Sequence, residues 1–250
     1  FVMLKKDQKD SVQKTVEQKE KSSKADSEEE DKIENYLQVD QMELEIGYAL
    51  IPLVDVNQGG DLLERITMLR RQVAGEMGVV VPPIRIRDNI QLKSSEYSIK
   101  IKGVEVGTGE LMSGCYLAMD PGGVSQKISG VETVEPASGL PALWITESQK
   151  EQAEINGYTV VELPAVLATH LTEVIRNHGH DILTREDVKS LMDNLKKTNA
   201  TVVEELIPNL LSVGEVQKIL RNLLSEKISI RDLASILEAM ADAARLSKAE

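Results

Sequence analysis

All three histidines of this 250-residue chain lie between positions 170 and 180: His170, His178 and His180, with Asp181 directly after the last. Imidazoles and a carboxylate are zinc ligands, so His-Gly-His-Asp invites a metal reading. Two residues apart, however, His178 and His180 cannot share a helix face, and the segment spans the end of a helical pattern. Histidine near a helix C-terminus is favoured by the macrodipole. The cluster therefore reads as a polar helix terminus, and no metal is expected.

The other reactive-looking residues fail on spacing. Gly107-Thr108-Gly109 followed by Gly114 lacks the dinucleotide fingerprint, whose third glycine stands three residues after the second. Gly59-Gly60 before a helix could cradle phosphate, but Asp61 puts a negative charge at the N–H groups that would bind it. No P-loop pattern occurs. Ser113 and Ser138 have glycine neighbours without nucleophile-elbow spacing, and no carboxylates carry the signal of a buried acid and base. Cys115 is the single cysteine, so an intrachain disulfide is impossible, which fits a reducing compartment. Beside Gly114, Tyr116 and Leu117 it reads as a strand residue. Neither an enzyme nor a cofactor is expected.

Composition narrows the partners. The chain is 41% apolar and 28% charged, ordinary for a globular protein. Aromatics make up 3%, with Trp144 the one tryptophan, so the core must be built from Leu, Ile, Val and Ala. A net charge of −12 argues against nucleic acid, which needs a basic surface. No apolar run approaches the roughly 20 residues of a membrane helix, and the N-terminus lacks a secretory pattern. Taken alone, the chain reads as cytosolic and soluble.

The elements that must position any site divide the chain into an α+β, multi-subdomain protein. Residues 1–41 form a charged segment with the acidic run SEEEDK at 27–32, expected to be a flexible linker. Ile33, Tyr36 and Leu37 at i, i+3, i+4 end it with a short apolar face. Residues 42–113 with 163–182 read as a mixed α/β first domain. Met42–Leu50 alternates as a half-buried strand, and Asp61 stands where it would cap a helix with the stripe Leu62, Leu63, Ile66, Leu69, Val73 and Met77. Pro82-Pro83 precede the alternating Ile84–Arg87, and Glu96–Lys102 alternates again.

Residues 114–162 read as a small inserted α/β domain. Its strands are expected at 115–119, 142–145 and 158–162, with a helix over 148–155 and turns at Asp120–Gly123 and Asn156-Gly157. Pro164 opens a helix running to Asn177, which Gly179 closes. Residues 183–250 read as a helical domain with helices at 184–197, 200–210, 213–225 and 229–244. Thr184…Asp187 and Ser229…Asp232 are close to capping boxes.

The blocks GYALIPLVD, GGDLLERI, GVVVPPIRIRDN, KGVEVGTGEL, YLAMDPG, VEPASGLPALWI, GYTVVE and VLATHL occur in this order over roughly residues 43–245. They resemble the cytoplasmic part of the FHIPEP family, the protein-export gates of flagella with relatives in virulence type III secretion. The resemblance implies the cytoplasmic domain of a bacterial inner-membrane protein, with the membrane-spanning region and a fourth small domain lying outside this chain. It implies a homo-oligomeric ring, nonameric in the family, working with other membrane subunits of the gate and with soluble export ATPase components. On their own Ile33, Tyr36 and Leu37 read as the start of the first domain; the linker of the family contacts the neighbouring protomer, and the resemblance implies that contact for these residues instead. VEPASGL and VLATHL favour the flagellar branch over a virulence gate. A soluble non-enzymatic adaptor is what composition alone permits.

The family also implies a site. An Asp-Pro-Ala-x-Gly-Leu loop there helps form a hydrophobic dimple where export chaperones carrying filament-type substrates dock. The matching residues are Val134, Glu135, Pro136, Ala137, Ser138, Gly139 and Leu140, with Thr169 of VLATHL lining the same dimple. Two positions depart from the pattern. Glu135 replaces Asp, and Ser138 stands where flagellar members often carry an aromatic. A phenylalanine there would bury about 2–3 kcal/mol worth of apolar area, which serine cannot, so either Leu140 and Val134 supply the apolar contact or chaperone affinity is lower.

Overall fold

The alternation that begins at Met42 stops sooner than the sequence pattern suggests. In the computed structural model, which describes residues 39–248, β1 (Met42–Ile46) buries Met42, Leu44 and Ile46 and turns Glu43 and Glu45 to the half-exposed face. It ends at Gly47, where the backbone runs against another segment: a Cβ on Gly47 would stand 2.2 Å from the Lys93 carbonyl oxygen. The chain then tightens into a 3-10 helix, Tyr48–Leu53, instead of continuing as strand to Leu50. The linker and the apolar positions Ile33, Tyr36 and Leu37 lie outside the described residues.

Helix α1 (Leu62–Met77) follows and buries Leu62, Ile66, Leu69, Val73 and Met77. Leu63, counted in the stripe from sequence, is 46% exposed, because it falls one position round the helix from the buried row. Asp61 does not cap the helix. Its carboxylate instead accepts from Arg65 Nε at 2.7 Å. Beyond the paired prolines, β2 (Ile84–Asp88) runs parallel to β1 with Ile86 opposite Leu44. The strand–helix–strand reading of this stretch therefore matches the architecture.

β3 (Glu96–Ile101) and β4 (Val104–Glu110) form an antiparallel hairpin and complete a sheet in the order β2-β1-β3-β4. β4 has no apolar alternation, and the reason is steric. Gly109 faces Tyr97, and a Cβ there would come within 2.4 Å of the phenol oxygen, while one on Gly107 would stand 3.3 Å from the His170 ring. The volume a strand residue normally fills belongs here to its partners.

A second four-stranded sheet contains β5 (Cys115–Met119), β6 (Val131–Val134), β7 (Pro141–Thr146) and β8 (Thr159–Val161), antiparallel throughout in the order β6-β7-β5-β8. Helix α2 (Glu147–Ile155) connects β7 to β8 and starts in a capping box between Thr146 and Gln149. Helix α3 (Leu163–Asn177) carries Pro164 in its first turn and packs on α1 through a row from Leu163 to Ile175. Gly179 does not close it. His178 is the C-terminal cap, and Gly179 opens the one-turn α4 (Gly179–Ile182), buried where its Cβ position lies 3.3 Å from Met77 Cε.

Four helices follow: α5 (Arg185–Lys196), α6 (Ala200–Leu206), α7 (Val213–Ser225) and α8 (Leu233–Lys248). Thr184 and Asp187 close the expected capping box of α5, and Ser212 with Glu215 makes another on α7. α6 stops at Leu206 instead of residue 210, since Ile207 takes the extended conformation favoured before proline. α8 begins at Leu233, not 229. Ser229 is no cap; its hydroxyl donates to the Glu76 carbonyl at 2.7 Å, and Asp232 accepts from the Ser235 N–H at 3.3 Å.

The described residues from Gln41 onward gather into one body. The chain is mixed α/β, with two sheets and, among the described residues, eight α-helices. One core runs from Met42 and Leu44 through α1, α3 and Trp144 to Leu220 and Leu237. A smaller cluster of Ala118, Ile145, Ala153 and Tyr158 lies under α2. Among the described residues, no helix is long and apolar enough to cross a membrane.

Candidate functional site

The 134–140 loop is folded around its own acid. Glu135 is buried, and its carboxylate accepts from the Ala137 N–H at 3.1 Å, the Ser138 N–H at 2.6 Å and the Ser138 hydroxyl at 2.6 Å. The backbone closes the turn, with Glu135 N–H donating to the Leu140 carbonyl and Gly139 N–H to the Glu135 carbonyl, both at 2.8 Å. Gly139 sits at φ +70°, where glycine carries no Cβ penalty. Glu135 is thus a structural acceptor and not a contact held out to a partner. Ser138, which from sequence looks like a lost aromatic, is one of the three donors that let the carboxylate be buried.

The loop forms one wall of a cleft of about 780 Å³. Glu135, Ala137, Ser138 and Thr169, four of the positions the family resemblance singles out, line it. Val134 and Leu140 do not; they are 58% and 59% exposed outside it. Pro136 and Gly139 shape the turn without lining the cleft. The apolar surface comes instead from Met68 and Leu69 of α1 and Ala165 and Ala168 of α3. Met68 was not singled out from the sequence, although its signal was available: it is an apolar residue off the buried stripe of an otherwise polar helix face.

Charged residues rim this surface. Arg65 pairs with Asp61 at 2.6 Å and reaches Glu162 at 3.6 Å. Arg176 pairs with Glu76 at 2.5 Å, and hydrogen bonds from Gln72 and Arg176 hold the Glu76 carboxyl below its ordinary range. Thr169 turns its hydroxyl back to the Ala165 carbonyl at 2.8 Å, so it presents its methyl group to the cleft. An apolar trough with a polar, mixed-charge rim suits reversible protein recognition.

Next to Thr169, His170 points the opposite way, into the core. Its Nδ1 lies 2.7 Å from the Tyr97 hydroxyl, with the rings edge to face at 5.7 Å. Burial pushes the His170 imidazole below its ordinary value, against the opposing charge of Glu135, and pushes the Tyr97 phenol up. His178 and His180 instead share the Asp181 carboxylate, at 3.2 and 3.3 Å. No group of metal-ligating residues occurs among the described residues. Cys115 is half-buried in β5.

The FHIPEP family pattern matches residues 1–250, and the chain belongs to that family. It is 53% identical over 211 residues to the flagellar biosynthesis protein FlhA of Bacillus subtilis (strain 168), covering 84% of this chain and 31% of that protein. With FlhA of Escherichia coli (strain K12) the identity is 43% over 203 residues, covering 81% and 29%. The chain therefore spans about a third of the length of these relatives. Among solved structures, the CdsV protein of Chlamydia pneumoniae superposes with a TM-score of 0.71 at 21% identity, covering 83% of this chain and 61% of that one. The nonameric EPEC SctV-C gives 0.62 at 16% identity, covering 83% and 60%. These two likenesses are of fold.

Proposed function

We propose that this chain is a cytoplasmic part of the flagellar type III protein-export gate, which docks export chaperones carrying filament-type substrates and orders their export. The observation that carries the reading is the cleft itself: a loop between two strands and a helix 30 residues later bring Glu135, Ala137, Ser138 and Thr169 to one apolar trough. The work is recognition, not catalysis. Met68, Ala165 and Ala168 supply the area to be buried, and the rim charges set orientation and on-rate more than affinity.

In this reading the segments 42–113 with 163–182, 114–162 and 183–250 act as subdomains whose relative movement changes the width of the cleft. The chain works in a homo-oligomeric ring at the inner membrane, beside other gate subunits and soluble export ATPase components. A nonameric relative and a CdsV–CdsO complex among the structures of like fold support this. Identities of 42–53% to flagellar relatives, against 16–22% to the CdsV and SctV-C structures, favour the flagellar system.

Calorimetric titration with a purified flagellar chaperone–substrate complex tests the proposal. Met68→Asp and Ala137→Asp, each placing a charge in the trough, should weaken binding about tenfold or more, whereas Leu140→Asp, outside the trough, should leave it unchanged. Equal affinity in all three variants would overturn the cleft as the dock. No binding by the unmodified chain would count against the gate reading itself.

A further inference from the structure

Helix α7 buries Val216, Leu220 and Leu224 and turns a polar face outward at Gly214, Gln217, Lys218, Arg221 and Asn222. Such a face is ordinarily just solvated. Here it is one wall of a second cleft, of about 370 Å³, whose other wall is Arg185 from the first turn of α5 and His180 of α4. Three permanent cations thus converge on one concavity of a chain whose net charge is −12.

These cations are poorly neutralised from within. Among the described residues, Arg185 and Lys218 have no carboxylate within ion-pair distance. Arg221 reaches only Asp181, at 3.4 Å, and that carboxylate is shared with His178 and His180. One His180 ring nitrogen, Nδ1, is shielded from solvent without a partner. Gly214 lies beside the convergence. A Cβ there would stand 3.2 Å from Arg185 Nη2, so the guanidinium lies over the first turn of α7, and a larger side chain at 214 would push it aside.

We propose that the cleft binds a short acidic peptide segment of a protein partner, with carboxylates against Arg185, Lys218 and Arg221. Arginine's planar fork takes a carboxylate through two parallel hydrogen bonds. A free phosphate would fill only a small part of the 370 Å³. A segment carrying several acids can offer each of the three cations its own carboxylate, and the Asn222 amide at the cleft wall suits a peptide group.

The test is fluorescence anisotropy of a dye-labelled peptide of alternating Glu and Ser, titrated with the 250-residue chain at low and high salt. Saturable binding that weakens with salt is expected, with a loss of about tenfold or more in Arg185→Gln/Lys218→Gln. Gly214→Leu keeps every charge but displaces Arg185, and should weaken binding several-fold. Arg185 and Lys218 are exposed and Gly214 is half-buried, and unchanged thermal unfolding verifies that the variants are folded. The proposal is overturned by unsaturable binding, by binding retained in the double variant, or by binding insensitive to Gly214→Leu, which would mean charge without a built site. Inorganic phosphate competing as well as unlabelled peptide would overturn the peptide assignment in favour of a small-anion site.

Discussion

The hydroxyl of Tyr97 lies 2.7 Å from Nδ1 of His170, joining the middle of the first sheet to the helix that walls the 780 Å³ cleft. Both residues are buried, so neither can turn to water if the other is removed. Tyr97→Phe should therefore cost about 1–3 kcal/mol, the penalty of an orphaned buried polar atom. Urea unfolding of Tyr97→Phe, His170→Gln and the double variant measures it, and a double-mutant cycle isolates the coupling.

Burial depresses the folded-state pKa of His170 below its ordinary 6.5, with Glu135 opposing the shift. As pH falls, the unfolded chain takes up this proton first. The neutral imidazole's contribution to stability is thus fully present above pH 6.5 and is lost as pH falls from there through the lower folded value. Unfolding free energies on either side of pH 6.5 should show a decline toward acid that is larger in the unmodified protein than in His170→Gln.

Gly109→Ala should destabilise the hairpin of β3 and β4 by about 1–3 kcal/mol, the usual cost of overpacking. The new methyl would have to displace the Tyr97 ring, which a Cβ at 109 approaches to 2.4 Å. Gly114→Ala makes a useful comparison, since nothing lies within 4 Å of its Cβ position, although its φ of +76° carries a backbone cost of its own. Denaturant midpoints of the two variants separate steric crowding from backbone strain.

Ser138→Ala removes one of the three donors to the buried Glu135 carboxylate. A hydrogen bond to a charged group contributes about 1.5–3 kcal/mol, but Ser138 is exposed and water can replace part of it. A loss near the lower end is expected, together with faster hydrogen exchange at the Ala137 and Ser138 amides. Unchanged exchange would show that the loop is held by its backbone turn alone.

Regular elements were legible where side-chain period and burial coincide. Pro164 and the apolar row of α3 announce that helix, and Thr184 with Asp187 announces α5. β4 was not legible, because Gly107 and Gly109 carry no period; they register the bulk of Tyr97 and His170 on neighbouring elements. The 134–140 segment was legible as a loop, yet the direction of Glu135 was hidden. A loop has no repeating pattern from which to read which way an acid faces, and only the turn geometry brings the Ala137 and Ser138 amides onto it. Ser229 shows the same limit in reverse: its spacing to Asp232 is that of a cap, but the acceptor it uses is Glu76.

That contact has a temporal meaning. Ser229 and Ile230 complete the last turn of α1, donating to the carbonyls of Glu76 and Met77 from positions translated 153 residues after them. A ribosome-bound chain that stops before Ser229 already contains every strand of both sheets and both helical walls of the cleft. Arg176 can already hold Glu76 at the end of α1, but the two donors to its last carbonyls are still missing. They arrive only when the ribosome has passed residue 230, so the final turn of α1 is completed after the rest of the cleft has been made.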